Sequence, residues 1–228
     1  AWDEIRNDFI WVSGCWRNAP PQSYWVPGYW VWTGSGWQWI AGFWKSLLEP
    51  AGEQIEYLPA PPAPIDIKPP RTSPLPDQLW APGCWYYAGS QYVHRPGYWV
   101  TPQVGWVWIP SHCAWTPRGY IFVAGRWDYD LDSRGVLFAP VYFPPVVRLR
   151  PAFVFSPFLC VDLGMLRLNL FVYPRYRHYC FGDYYDDAYV SVGIYPWYHS
   201  QTVYTWYDPL FTYERWSHRR TNPNWAKS

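Results

Sequence analysis

The sequence predicts a mainly β protein made of tandem aromatic-rich β-hairpin repeats, forming a meander or sandwich-like sheets, with a proline-rich connector and a short C-terminal helix. Three observations predict this. The 228 residues include 26 prolines, about twice the average usage, and proline disfavours helix interiors. Aromatic residues make up 23% of the chain, far more buriable surface than disordered chains carry. A glycine–tryptophan pattern recurs every 14 residues, with its final tryptophans at 16, 30 and 44. A period of 14 residues is too short for a helical repeat and suits a hairpin unit.

The first array, residues 1–46, contains three copies of the pattern aromatic-x-x-Gly-x-Trp, at 11–16, 25–30 and 39–44. Between the last two, Thr33-Gly-Ser-Gly36 predicts a four-residue turn that sets Trp32 opposite Trp37 and Trp30 opposite Trp39. Such cross-strand aromatic pairs contribute roughly 0.2–1 kcal/mol each. Pro-Gly inside the pattern predicts a tight turn in which the glycine takes a positive φ.

Residues 47–78 form a connector with nine prolines and no tryptophan. This composition predicts an extended polyproline II segment. Two interpretations follow: a semi-rigid linker, or a segment that docks along an aromatic groove, as proline-rich segments do elsewhere.

The second array, residues 79–135, repeats the pattern at 80–85, 94–99 and 122–127. Ser111-His-Cys-Ala-Trp115 is interpreted as a further copy without its glycine, which gives tryptophan spacings of 14, 16 and 12. A hairpin from Trp99 to Trp108, with Pro102-Gln-Val-Gly105 at its tip, is expected to copy the first array.

The C-terminal segment, residues 136–228, is rich in tyrosine and phenylalanine. The alternation in Leu166–Val172 predicts a strand. Asp208 followed by Pro209, with basic residues further on, predicts a short helix near residues 208–219.

Composition also bounds the function. Charged residues make up only 15% of the chain and the formal net charge is +1. No basic surface for binding nucleic acid or an anionic membrane is therefore expected. The sequence has no run of about 18 apolar residues, so no transmembrane helix is expected. Residues 1–10 do not resemble a signal peptide, so the chain is interpreted as a mature product or a piece of a longer protein. Sequence motifs for catalysis are lacking, and a non-enzyme is expected.

Three carboxylates at alternate positions, Asp128, Asp130 and Asp132, suit calcium; the alternative is an acidic turn that closes the second array. The five cysteines have no metal-ligand spacing. They are interpreted as buried thiols, or as one or two disulfides among Cys15, Cys84, Cys160 and Cys180. Arginine outnumbers lysine by 15 to 3. Because Arg95, Arg126, Arg175 and Arg177 lie beside aromatic residues in the sequence, stacking on aromatic rings is favoured over an anion site.

Exposed tryptophan can anchor a protein interface or stack against sugar rings. The regular period favours the first use, since repeats stack on one another. The candidate interface or ligand residues are Trp25, Trp30, Trp32, Trp37, Trp39, Trp99, Trp106 and Trp108.

Trp-x-x-Gly-x-Trp copies of this kind resemble the WXXGXW-repeat (or YXWGXW-repeat) proteins of bacteria, over roughly residues 9–129. The tail, with His178-Tyr-Cys-Phe-Gly-Asp-Tyr-Tyr185 and related stretches, is similar to repeat proteins of planctomycete-type bacteria. The resemblance implies an exported protein of the cell envelope, periplasm or extracellular space and no catalytic residues. We therefore expect a structural module that joins copies of itself or other envelope or matrix proteins in a layer, matrix or filament. The alternative is a carbohydrate-binding module that takes polysaccharide.

Overall fold

The computed structural model describes residues 2–3, 7–9, 15–48, 55–65, 68–69, 72–139, 141–175, 177–199, 206–219 and 221–222. Strands dominate these residues, the pairs are antiparallel, and the only helix of more than six residues that they contain lies near the C-terminus. The predicted fold class is confirmed. Among the same residues, no helix has the length and apolar character that crossing a membrane requires.

The described residues of the first part of the chain form seven short strands. Their bounds are β1 Trp2–Asp3, β2 Asp8–Phe9, β3 Cys15–Arg17, β4 Ser23–Val26, β5 Tyr29–Trp32, β6 Trp37–Ile40 and β7 Phe43–Ser46.

Residues 23–46 form one long hairpin, which we call hairpin A. Strand β4 pairs with β7, and β5 with β6, in a single continuous register. Trp30 lies opposite Trp39 and Trp32 opposite Trp37, so the predicted cross-strand pairs are confirmed. The two ladders are separated where Pro27-Gly28 faces Ala41-Gly42.

The second array forms two more hairpins of the same design. Hairpin B spans residues 79–100 with β8 Leu79–Ala81, β9 Cys84–Ala88, β10 Gln91–Arg95 and β11 Tyr98–Val100. Hairpin C spans residues 106–129 with β12 Trp106–Ile109, β13 His112–Thr116, β14 Gly119–Val123 and β15 Arg126–Tyr129. In each, the outer and inner strands pair in one register, as in hairpin A.

The expected hairpin from Trp99 to Trp108 is wrong. Trp99 lies opposite Trp80 within hairpin B, and Trp108 lies opposite Trp127 within hairpin C. The intervening residues 101–105 connect the two hairpins, with Gly105 at a φ of +83°. Each copy of the pattern within a hairpin thus pairs with the adjacent copy along the chain, across the turn of that hairpin.

This pairing also corrects the register of the imperfect copy. Trp108-Ile-Pro-Ser-His-Cys113 faces Phe122-Val-Ala-Gly-Arg-Trp127. Ser111 therefore occupies the glycine position and Cys113 the final tryptophan position. The final positions become 85, 99, 113 and 127, so the copies of the second array are evenly spaced, and Trp115 lies outside the pattern.

Part of the proline-rich connector docks on hairpins B and C. Leu58 exchanges two backbone hydrogen bonds with Tyr120, at 2.7 and 2.9 Å. The Trp85 indole donates to the Ala63 carbonyl at 2.9 Å, and the Tyr92 hydroxyl donates to the Pro59 carbonyl at 2.7 Å. Of the two interpretations, the structure supports docking for residues 58–63.

The remaining elements are α1 Leu131–Arg134, β16 Gly135–Leu137, α2 Pro145–Arg148, α3 Leu163–Leu168, β17 Leu170–Tyr173, β18 His178–Phe181, α4 Asp187–Ser191, β19 Tyr195–Pro196 and α5 Pro209–His218. Strand β17 lies between β18 and β19, and β16 pairs with β3 of the first array.

The predicted strand over Leu166–Val172 begins four residues later than expected. Asp162 accepts hydrogen bonds from the backbone amides of Gly164 and Met165, which caps α3 and keeps the chain helical to Leu168. Only from Leu170 does the chain become a strand, buried on both faces.

The core joins the C-terminal segment to hairpin C. Val107 of β12 and Phe211 of α5 pack together with Leu170, Val172 and Trp197. The predicted C-terminal helix is confirmed as α5, with Asp208 as its N-cap and Pro209 at its first position.

Buried Asp208 links β18, Trp197 and α5 through hydrogen bonds. Its carboxylate accepts hydrogen bonds from the Tyr179 hydroxyl and the Trp197 indole, both at 2.7 Å, and from the Phe211 amide at 3.0 Å. Burial raises the pKa of Asp208 to about 6, although the three donors act in the opposite direction.

Candidate functional site

Hairpin A presents its tryptophans to solvent. Five of the candidate residues are exposed, with Trp30 at 61% and Trp37 at 67%; the others are Trp25, Trp32 and Trp39. Exposed large apolar side chains grouped on one element usually indicate an interaction surface. We call these five residues the aromatic face.

The rings of hairpin A form a ladder of cross-strand pairs. Ring centroids are 5.3 Å apart for Trp30 and Trp39 and 5.6 Å apart for Trp32 and Trp37, with interplanar angles of 58° and 62°. Trp25 pairs with half-buried Trp44 at 5.2 Å and 61°. Neighbouring rings therefore meet edge to face, the arrangement that the aromatic quadrupole favours.

The glycines of the pattern make room for these rings. A Cβ atom on Gly28 would lie 2.4 Å from Cζ2 of Trp39, and one on Gly42 would lie 2.4 Å from Cζ2 of Trp25. The first tryptophan of each copy thus lies over the glycine of the opposite copy. The positive φ expected for glycine after proline is wrong for Gly28, and Gly42 does not adopt one either. Close approach, rather than turn geometry, requires glycine at both positions.

The same relation recurs in the other hairpins. A Cβ on Gly97 would lie 2.3 Å from Cζ2 of Trp80, and one on Gly125 would lie 3.1 Å from Cζ2 of Trp108. In hairpin B, His94 replaces a first tryptophan and lies 2.6 Å from the Cβ position of Gly83. Two copies of the pattern, related by an approximate two-fold axis across the hairpin, are therefore the structural unit.

Hairpins B and C differ from hairpin A in what covers them. Trp99, Trp106 and Trp108 are half-buried, and Val107 between the last two is fully buried in the core with α5. The Trp108 indole donates to the Tyr98 hydroxyl at 3.0 Å. The structure therefore separates the candidate tryptophans into an exposed set on hairpin A and a covered set on the second array.

The three candidate calcium carboxylates do not converge. Asp128 is buried and ion-paired with Arg17 and with Arg134, the latter at 3.5 Å. Asp130 caps α1 through the Ser133 amide, and Asp132 is exposed. Among the described residues, no group of three or more His, Cys, Asp or Glu side chains is placed to hold a metal ion.

The described cysteines are free thiols. Cys84, Cys113, Cys160 and Cys180 are each unpaired, which agrees with the interpretation as thiols and not with the disulfide alternative. Cys160 is exposed rather than buried, and the side chain of Cys15 lies outside the described residues. These cysteines lie on different elements. Cys84 is in β9, Cys113 in β13 and Cys180 in β18, and Cys160 forms an isolated β-bridge with Phe138. Burial raises the pKa of Cys84 and Cys180, and that of Cys113 to about 11, which keeps these thiols protonated near neutral pH.

Arginine has two uses in this chain. Arg95 stacks over Tyr86 at 4.2 Å, and Arg17, Arg118 and Arg219 each lie over a tryptophan or tyrosine ring. The predicted stacking is confirmed for Arg95. Arg126 and Arg177 instead line a cavity with Arg17 and Arg134, an arrangement that sequence adjacency to aromatic residues did not reveal.

Comparison with known proteins gives one match. The model of the WXXGXW repeat family matches residues 6–31, 24–45, 76–100 and 104–128. Three of these segments coincide with hairpins A, B and C. No curated protein and no solved structure matches the chain.

Proposed function

Because the repeats of this chain are WXXGXW repeats, we propose that the protein is a non-catalytic structural protein of a bacterial cell envelope or extracellular matrix, and that it self-associates through the aromatic face of hairpin A. One observation carries the proposal. The same ladder is half-buried by other parts of the chain in hairpins B and C and exposed in hairpin A.

The size of the aromatic face supports an interface. A fully buried indole side chain removes roughly 150–250 Å² from water, so five half-exposed tryptophans offer on the order of 500 Å². The largest apolar patch of an ordinary monomer is about 300–600 Å² and is often functional. With a polar rim added, the face approaches the roughly 800 Å² per partner of a standard interface.

The apolar character of the aromatic face supports a second copy as the partner. A two-fold contact places the same patch of both subunits against each other, so one exposed face supplies both sides of the interface. Each sheet of hairpin A has two strands. Its outer edges thus offer backbone groups to which further strands could bind, and such additions extend into layers or filaments.

The tilt of the rings favours protein association over glycan stacking. A sugar platform needs rings that lie in one plane, whereas the exposed pairs are inclined by 58° and 62°. Export to the envelope belongs to the proposal because the resemblance to bacterial repeat proteins implies it.

Light scattering of the purified chain over a concentration series tests the proposal. We expect oligomers in the unchanged protein and a shift toward monomer in the double variant Trp32→Ser/Trp37→Ser, which removes the pair at the hairpin tip. The matched control is Val154→Ser/Phe158→Ser. It removes two side chains that are 84% and 85% exposed and lie outside the repeats.

Three outcomes have different consequences. Loss of oligomers in the tip variant alone supports the aromatic face as the interface. Equal loss in both variants, or a monomer at every concentration, contradicts self-association. If the monomer then binds polysaccharide and the tip variant does not, the carbohydrate-binding alternative replaces the proposal.

A further inference from the structure

A cavity of about 240 Å³ lies where the repeats meet the C-terminal segment. Strand β3, hairpin C, α1 and the segment around β18 all contribute to its walls. Four arginines line it: Arg17, Arg126, Arg134 and Arg177. Asp128 is the one carboxylate among the lining residues.

The positive charge of this cavity is only partly compensated. Asp128 pairs with Arg17 and with Arg134, whose guanidinium also donates to the Tyr129 carbonyl at 2.8 and 3.1 Å. No other carboxylate is among the described residues that line the cavity. The described lining therefore carries four guanidinium charges and one carboxylate charge.

Arg126 is the residue that this arrangement leaves without a partner. Its Nε and Nη1 are buried and make no hydrogen bond with any described residue, and neither does Nε of Arg17. A buried donor without an acceptor destabilises the fold, and does so more strongly when it is charged. Burial and the neighbouring Arg17 and Arg134 lower the pKa of Arg126 to about 10, although the Asp128 carboxylate raises it. The Arg126 guanidinium therefore remains charged at neutral pH.

We propose that this cavity binds an oxyanion, a phosphate, sulfate or carboxylate group, with Arg126 and Arg17 as its main ligands, because both have buried donor nitrogens without an acceptor. The planar fork of a guanidinium matches these groups with two parallel hydrogen bonds. The volume is below the roughly 300–1,000 Å³ of pockets for drug-sized ligands. It therefore suits one anionic group, either free or carried at the end of a larger molecule. This site is separate from the aromatic face and does not depend on the proposed assembly.

Calorimetric titration with inorganic phosphate, inorganic sulfate and acetate, at constant ionic strength set with sodium chloride, tests the proposal. We expect phosphate and sulfate to bind more tightly than acetate, because three of the four arginine charges lack a counter-charge. Arg126→Gln should weaken phosphate binding about tenfold or more. The matched control, Arg215→Gln, makes the same charge change on the exposed side of α5 and should bind as the unchanged protein does.

Folding is monitored separately. Without phosphate, Arg126→Gln should unfold at the same temperature as the unchanged protein or at a higher one, since a buried charge is removed. If that variant does not fold, Arg17→Gln replaces it, with the same expected loss of binding. The proposal is overturned if the unchanged protein shows no binding beyond the chloride control, or if the arginine variants and Arg215→Gln bind phosphate equally well. Tight binding of acetate with no binding of phosphate or sulfate would restrict the ligand to a carboxylate.

Discussion

Alanine at Gly28 tests why the repeat contains glycine. Its Cβ would lie 2.4 Å from Cζ2 of Trp39, 2.6 Å from the Ile40 carbonyl oxygen and 2.9 Å from the Gly42 amide nitrogen. Two of these atoms are backbone, so a rotamer change cannot relieve the contact and the strands must separate by roughly 1 Å to restore ordinary van der Waals distances. Overpacking of this kind costs about 1–3 kcal/mol.

Gly36→Ala in the same hairpin is the matched control, because a Cβ at Gly36 meets nothing within 4 Å. There, the reduced freedom of the unfolded chain should stabilise the protein by about 0.4–1 kcal/mol. We therefore expect Gly28→Ala to be less stable than Gly36→Ala by about 2–3 kcal/mol.

Hydrogen exchange of the backbone amides in residues 23–46 is the decisive assay, since the hairpin can open without global unfolding. Thermal unfolding gives a second measure, at roughly 2–4 °C per kcal/mol for a chain of this size. If Gly28→Ala keeps the exchange protection of Gly36→Ala and unfolds at the same temperature, the close-approach explanation of the repeat is refuted.

Two further predictions concern the C-terminal segment and the thiols. Asp208→Ala removes the helix cap and the acceptor of the Trp197 indole, and should cost about 1–3 kcal/mol at neutral pH; exposed Asp186→Ala at the cap of α4 should cost about 1 kcal/mol or less. Folding raises the pKa of Asp208 to about 6, so the folded protein binds a proton there more tightly than the unfolded chain does. The resulting stabilisation of the folded state is complete below about pH 4 and is lost as the pH rises through about 6. The difference in unfolding free energy between the unchanged protein and Asp208→Ala should thus widen by up to about 3 kcal/mol in acid, and chemical denaturation at pH 4 and 7 measures it. Iodoacetamide at pH 7.5 should modify exposed Cys160 well before Cys113, whose thiol is half-buried and has a raised pKa. Equal rates of modification in peptide mass spectrometry would contradict this.

Local patterns in the sequence predicted what depends on neighbouring residues. Trp30 and Trp39 were placed opposite each other because a short turn fixes the register, and α5 was found because Asp208 and Pro209 are strong start signals. The Trp99–Trp108 hairpin failed because glycine at 105 resembles a hairpin tip, whereas the partner of Trp99 is set by the packing of its own repeat. The aligned copy at 108–113 was missed because serine and cysteine replace its glycine and final tryptophan.

Features that depend on distant residues could not be predicted. The spacing of Arg17, Arg126, Arg134 and Arg177 in the sequence does not indicate that they line one cavity. They lie in three separate parts of the chain: β3, the segment from β15 to α1, and the residues before β18. Adjacency to aromatic residues predicted stacking for Arg126, yet alternation along β15 sends its side chain to the cavity. The difference in exposure between hairpin A and hairpins B and C likewise arises from where α5 and residues 58–63 pack.

The pairing of two copies within each hairpin limits how such a chain can change in length during evolution. Duplication of two adjacent copies adds a complete hairpin whose glycines and tryptophans already complement each other. Duplication of a single copy instead leaves one copy without its complement. At the described end of the copy at 11–16, Cys15–Arg17 pairs with Gly135–Leu137 of the C-terminal segment. Insertions are tolerated between hairpins, as the connector at 47–78 illustrates. Within a hairpin they would shift every tryptophan away from the glycine that accommodates it. Lineages that carry these repeats should therefore differ by whole hairpins and by the lengths of the segments between them.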